Sequence, residues 1–369
     1  MKLLFVTSAT EHTTFRKTAK LLSKSGAHVK IIGFTRNNFP SGNEVIPTKV
    51  LGTVSHGSYL KRILIIIKFF REIREEARKT DVIYCFSLDV LLVTRIVLFF
   101  SENKIVIYQI QDIKRQLIGN SFKSKSYRFV EKTLLKSVSH IVVSSKDYYT
   151  SFLKKYYNYP ESKASVIENK VEVLPKVYDF KSVDNQIRIG YFGVLRCRRS
   201  WDVLKTSALE SKSNIFIYLR GKPSAVPNLK EQAEETSTIS YDGPYKSPDD
   251  LDSIYSKVDI VWAAYPYNDN AEGNWRMART IRFYEACAYR KPVLVQKGTP
   301  HASIVEDLEI GMVVDLSDLD TAVNQVLSIT PKMIDSWKKN LLKVDESMFV
   351  HTDEYENLYE LINKLLKNE

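Results

Sequence analysis

Cysteine is scarce in this chain. Cys85, Cys197 and Cys287 are the only three in 369 residues, widely separated and each set in an apolar or basic stretch. No pair has metal-ligand spacing, and so few thiols argue against a disulfide framework and for a reducing cytoplasm. Long apolar runs are also missing, since none reaches the roughly 18 residues needed to span a bilayer. Met1–Thr7 is too short for a signal-peptide core and is followed at once by polar residues. Internal repeats and low-complexity segments are absent. So are aromatic-basic strand motifs and a recognition helix, which leaves nucleic acid an unfavoured partner. What is present, 44% hydrophobic and 26% charged, is the composition of an ordinary folded protein. The length favours two domains.

Charge is unevenly spread. Residues 1–178 carry 30 Lys and Arg against 14 Asp and Glu, a net +16, whereas the remainder carries 24 against 29, a net −5. This asymmetry points to an anionic surface or polymer meeting the first half, such as an anionic membrane. The segment Tyr59–Lys79 mixes Ile63–Ile67, Phe69 and Phe70 with Lys61, Arg62, Lys68 and Arg71. It reads as a core helix, with shallow membrane docking as a supplementary role.

Short apolar segments alternate with helical ones. Strands are expected at Lys2–Thr7, Val29–Phe34, Val82–Phe86, Ile105–Tyr108, His140–Val143 and Ala164–Ile167. After a polar stretch at Lys176–Gln186, read as the linker, they resume at Ile187–Phe192, Ile215–Leu219, Thr238–Tyr241, Asp259–Trp262, Pro292–Val295 and Met312–Val314. The alternation predicts two doubly wound, Rossmann-like α/β domains in tandem, with a ligand cleft at the carboxyl ends of their strands.

Within the second half, Arg276, Arg279, Arg282 and Glu285 recur every three residues. On one helix they would share a slowly drifting face. Like charges so placed repel, so the stripe is either a solvated basic surface or a face turned to an anion near the helix N-terminus. Gly273 and Asn274 offer a turn and cap before it, and Lys291-Pro292 closes it.

Several stretches resemble the two-domain GT-B glycosyltransferases, specifically the group 1 (family four) class, over nearly the whole chain. Asp81–Leu92 is similar to a strand and helix of the acceptor domain, and Val166-Ile167-Glu168-Asn169-Lys170-Val171 to its "V-I-x-N-G-V" strand end. Arg188–Arg196 resembles the first strand and glycine turn of the nucleotide domain. Tyr241-Asp242-Gly243 and Leu251–Val261 match a later stretch of it. Glu285–Val293 resembles the "E-A-x-A-x-G-x-P-V" half of the Glu-x7-Glu motif. Met277 stands where the first Glu would fall, and Arg282 takes the Lys position of an "N-K-x-x-E" variant. The N-terminal glycine-rich loop is replaced by Thr7–His12, and the family histidine by Gln109–Asp112.

The resemblance implies an acceptor-binding domain over residues 1–178, a nucleotide-sugar-binding domain over 187–345, and a C-terminal helix within 346–369 that crosses back to the first domain. It implies transfer of a sugar, with retention, from a nucleotide-sugar donor to a saccharide or lipid-linked saccharide. The setting would be capsule, other surface polysaccharide or glycolipid synthesis in the cytoplasm, at the inner face of the membrane. Glu285 would bond the donor ribose. Gly193, Arg196, Arg199, Gly221, Arg279, Arg282 and Phe283 would complete the donor site, with Arg199 preferred over Arg196 for phosphate. Arg199 and Arg282 would neutralise the departing diphosphate without a metal or other cofactor. Asp250/Asp252 and Asp318/Asp320 sit at expected helix starts, where capping competes with metal binding. Thr10, Arg16 and Asp89 are candidates for the acceptor. His12 and Asp112 are catalytic candidates, a surface histidine and a loop aspartate being the alternatives. A non-catalytic partner of another transferase is the competing reading.

Overall fold

A computed structural model describes residues 1–35, 46–53, 69–98, 104–176, 186–265, 267 and 273–368. They divide into two compact units, Met1–Glu168 with Thr352–Glu369, and Asn169–His351. The expected linker falls largely outside the described residues, as does the first half of Tyr59–Lys79. Chain passage between the units lies at Glu168/Asn169 and at His351/Thr352.

The first unit holds a parallel sheet of seven strands: β1 (Lys2–Thr7), β2 (His28–Thr35), β3 (Thr48–Thr53), β4 (Val82–Phe86), β5 (Ile105–Ile110), β6 (His140–Val143) and β7 (Ala164–Val166). Their order is β3-β2-β1-β4-β5-β6-β7. Helices cover the sheet, so β4 and β5 are buried along their whole length and read as continuous apolar runs. Phe5 of β1 stacks on Tyr84 of β4 with ring centroids 4.4 Å apart. The helix Glu354–Lys367 belongs to this unit. Its Tyr355, Leu358 and Ile362 join Leu3, Phe5 and Phe15 in one cluster, and the Tyr355 hydroxyl meets Thr18 Oγ1 at 3.3 Å.

The second unit repeats the plan with β8 (Ile187–Leu195), β9 (Ile215–Pro223), β10 (Ile239–Tyr241), β11 (Ile260–Trp262), β12 (Val293–Gln296) and β13 (Gly311–Val314), in the order β10-β9-β8-β11-β12-β13. Ile189 and Tyr191 of β8 face a cluster with Trp201, Leu204, Trp262 and Trp337. Phe192 faces an opposite one with Tyr255, Phe283, Ala286 and Phe349. That alternation follows the period of two along a strand.

In both sheets the order reverses beside the first strand, between β1 and β4 and between β8 and β11. Such reversals open a crevice at the carboxyl ends of the strands, where ligands of doubly wound sheets bind.

One expected element is corrected. The four-residue stripe does not lie on one helix. Asn274–Arg276 is a single 3₁₀ turn, and the chain is extended at Thr280 (φ −78°, ψ 139°) before the helix Ile281–Ala288 begins. Thr280 is held out of helical geometry because its hydroxyl donates to the Ala263 carbonyl at 3.2 Å, just past β11. Arg276 and Arg279 therefore precede the helix that carries Arg282 and Glu285. That helix ends in a left-handed residue at Arg290 (φ 55°), where glycine would be strain-free. The Arg290 guanidinium offsets the strain by donating to the Leu341 carbonyl (3.1 Å) and to Glu346 (2.6 Å).

Candidate functional site

The β8/β11 reversal gathers most of the sequence-expected donor residues. β8 runs out through Gly193 (φ +97°) to Arg196, and the helix Arg198–Glu210 starts on a Cys197 thiol that accepts from the Ser200 amide at 3.3 Å. Cys197 also accepts from the Tyr267 amide at 3.2 Å, which pins the segment after β11 to the same edge. Three guanidiniums are ordered against that edge. Arg196 lies 5.1 Å from the Tyr265 ring centre, Arg199 5.5 Å from that of Tyr267, and Arg282 4.8 Å from that of Tyr191. Contact with an aromatic face steadies a guanidinium while leaving its N–H donors able to bond.

Arg282 is held further by donation from Nη2 to the Ala264 carbonyl at 3.1 Å. Its Nη1 is buried and has no hydrogen-bond partner among the described residues. One turn on, the buried Glu285 carboxylate accepts from the Tyr255 hydroxyl at 2.9 Å. Burial, then Glu285, lifts the Tyr255 hydroxyl far above its usual range, so it stays a donor. The same two causes act on Tyr245, whose hydroxyl lies nearest the open side of Gly193.

Gly221 pairs with Gly193 across β9 and β8, and a Cβ there would stand 1.7 Å from the Gly193 carbonyl oxygen. Its first service is to let the two strands close. Phe283 is buried and stacks on His301 at 3.9 Å. Burial, with Arg279 nearby, holds His301 well below the usual imidazole range, hence neutral. Met277 is buried. Asp318 caps the helix Leu319–Leu327 by accepting from the Thr321 amide at 2.8 Å. Asp252 instead accepts from the Tyr289 hydroxyl, and Asp250 from the Lys246 amide.

In the first unit, the remaining candidates collect at the β1/β4 reversal. Thr10 is buried, and its carbonyl accepts from Arg16 Nη1 at 3.2 Å. His12 is exposed at the start of the helix Thr13–Lys24, with its ring 5.2 Å from that of Phe86 at the end of β4. The next residue, Ser87, has φ 105°, a strained value for serine. Its hydroxyl donates to Asp89, which is buried and also accepts from Lys114 at 3.5 Å. Asp112 is exposed in the loop after β5 on the same edge. His140 lies apart from this group, buried, with Nε2 2.8 Å from Ser165 Oγ.

Sequence reading overlooked the aromatic partners Tyr191, Tyr245, Tyr255, Tyr265 and Tyr267, and also Ser87, Lys114 and His301. The available signal was Tyr265-Pro266-Tyr267, with two residues between it and the end of a strand.

No family model matches the chain. Among curated proteins, the succinoglycan biosynthesis protein ExoL of Rhizobium meliloti (strain 1021) is 25% identical over 350 residues, covering 90% of this chain and 85% of ExoL. Among solved structures, sucrose-phosphate synthase (tll1590) of Thermosynechococcus elongatus superposes with a TM-score of 0.75 at 14% identity, covering the whole of both chains. Anabaena Alr3699/HepE, in complex with UDP and glucose, does so with a TM-score of 0.71 at 16% identity, over 99% of this chain and all of HepE. This is the GT-B fold. Two parallel sheets, each reversing beside its first strand, are its frame.

Proposed function

We propose that the chain is a glycosyltransferase of the group 1 type that moves a hexosyl group from a nucleotide-sugar donor to a saccharide or lipid-linked saccharide, in polysaccharide biosynthesis. A fold of this kind does not choose a chemistry, so the reading rests on the site. The observation that carries it is Arg282, set over the Tyr191 ring with Nη1 buried and lacking a hydrogen-bond partner among the described residues, beside two further ordered guanidiniums at the β8/β11 reversal. A buried cationic donor with no partner is costly, and an anionic oxygen would satisfy it. The binding of UDP and glucose by HepE is in keeping with that chemistry, as is the part of ExoL in succinoglycan biosynthesis.

In the proposed reaction the bond between the sugar's anomeric carbon and the diphosphate oxygen breaks as the acceptor hydroxyl oxygen bonds to that carbon on the same face. The acceptor proton passes to the departing phosphate, and the anomeric configuration is retained. Arg282, Arg199 and Arg196 neutralise the growing diphosphate charge, which calls for no metal. Glu285 accepts from the donor ribose, with Tyr255 fixing its carboxylate. Gly193 leaves room for the donor, and Arg279 and Phe283 support the donor side. Thr10, His12, Arg16, Asp89 and Asp112 are assigned to the acceptor side, with His12 and Asp112 orienting its hydroxyl.

Thermal-shift measurements against a panel of nucleoside diphosphates and nucleotide sugars should give a rise in melting temperature with at least one. No rise with any would overturn the reading. With the donor so identified, Arg282→Ala should lower kcat by about a hundredfold to a thousandfold, and Glu285→Ala should chiefly raise KM. Met277, where the family's first Glu would fall, favours a second reading: donor binding in support of another transferase. Donor binding with neither transfer nor hydrolysis, in the unmodified protein and in Arg282→Ala alike, would select it.

A further inference from the structure

The helix Phe122–Leu135 in the first unit is laid down with its aromatic side outward. Its buried positions are Ser124, Glu131 and Leu135. Arg128 ties it down by donating from Nη1 to the carbonyls of Leu117 and Gly119, each at 2.7 Å. Phe122 and Phe129 are 87% and 72% exposed, flanked by Val130 (45%) and Tyr127 (41%). Phe122 and Phe129 are seven residues apart, two turns along one line of the helix, hence separated by roughly 10 Å. Leaving two phenylalanines in water forgoes the stabilisation that burial would give, and an exposed aromatic line of this kind marks a contact surface.

The charges around that line choose the partner. Lys123, Lys125, Lys132 and Lys136 are exposed on the same helix and its cap, whereas its one acidic residue, Glu131, is turned inward. Residues 1–178 as a whole carry a net +16. A line of aromatic rings bordered on both sides by lysines fits a surface with an apolar interior and anionic headgroups. We infer that this helix face docks the protein on an anionic bilayer, its rings entering the headgroup boundary and its lysines meeting lipid phosphates. The first half of the Tyr59–Lys79 stretch, where the sequence suggested docking, lies outside the described residues.

The test is co-sedimentation of the full chain with vesicles of phosphatidylcholine alone or mixed equally with phosphatidylglycerol. The protein should partition onto the mixed vesicles at low salt, bind the neutral ones far less, and leave the mixed ones at high salt. The Phe122→Ser/Phe129→Ser variant should keep its melting temperature and bind at least about tenfold more weakly. Lys123→Gln/Lys125→Gln/Lys132→Gln should lose affinity on the order of a hundredfold. Any one of three results would overturn the inference: no partition onto mixed vesicles, equal binding to neutral ones, or an unchanged phenylalanine variant. So would analytical ultracentrifugation showing that the two phenylalanines hold two copies of the chain together.

Discussion

Glu131 shows how one side chain can set a pH response. Burial lifts its carboxyl from an ordinary 4.5 to about 7, against the opposing pull of the Tyr157 hydroxyl, Lys114 and the Tyr108 hydroxyl. A carboxyl whose affinity for protons rises on folding favours the native state most below about pH 4.5. That contribution fades as pH climbs to about 7 and is constant beyond. Glu131→Gln keeps an oxygen for the Tyr157 hydroxyl and removes the titration. The variant should therefore gain about 2 kcal/mol above neutrality and little in acid, as read from thermal melts across pH. Because Glu131 faces away from Phe122 and Phe129, vesicle binding and this response should be separable.

The pairing of β8 with β9 depends on two glycines, and one of them has no room at all. At Gly221, φ is +138° and a Cβ would overlap the Gly193 carbonyl oxygen. Gly221→Ala should cost more than about 3 kcal/mol in urea unfolding, because the strands must part or the backbone must turn. Sequence reading found most strands of both sheets because buried parallel strands are apolar throughout, as in Leu3–Val6 and Val82–Phe86. It passed over β3, Thr48–Thr53, because an edge strand with half-exposed faces has no such run. It misread the arginine stripe for a different reason. Spacing by three is only a helical signal while the backbone stays helical, and the Thr280–Ala263 hydrogen bond that interrupts it joins residues 17 apart in sequence. Glu285, Arg282 and the Gly193 turn were legible as local motifs. Their tyrosine partners were not, since Tyr191, Tyr255 and Tyr265 converge from separate elements that only the folded sheet brings together.

At the scale of the molecule, the helix Glu354–Lys367 supplies Tyr355, Leu358 and Ile362 to a core otherwise built from residues before Glu168. Ending the chain at His351 should lower the unfolding temperature of the first unit while leaving the second unit's own transition nearly in place. Calorimetry, with limited proteolysis to assign each transition, would show it. Among the described residues no helix is long and apolar enough to cross a membrane. The same helix also bears on synthesis. Asn169–His351 is one uninterrupted stretch and can fold once it has left the ribosome, but the first unit must wait for residues beyond Thr352. The half of the protein made first is thus finished last, and until then its unfilled apolar groove is a place where a nascent chain would need a chaperone.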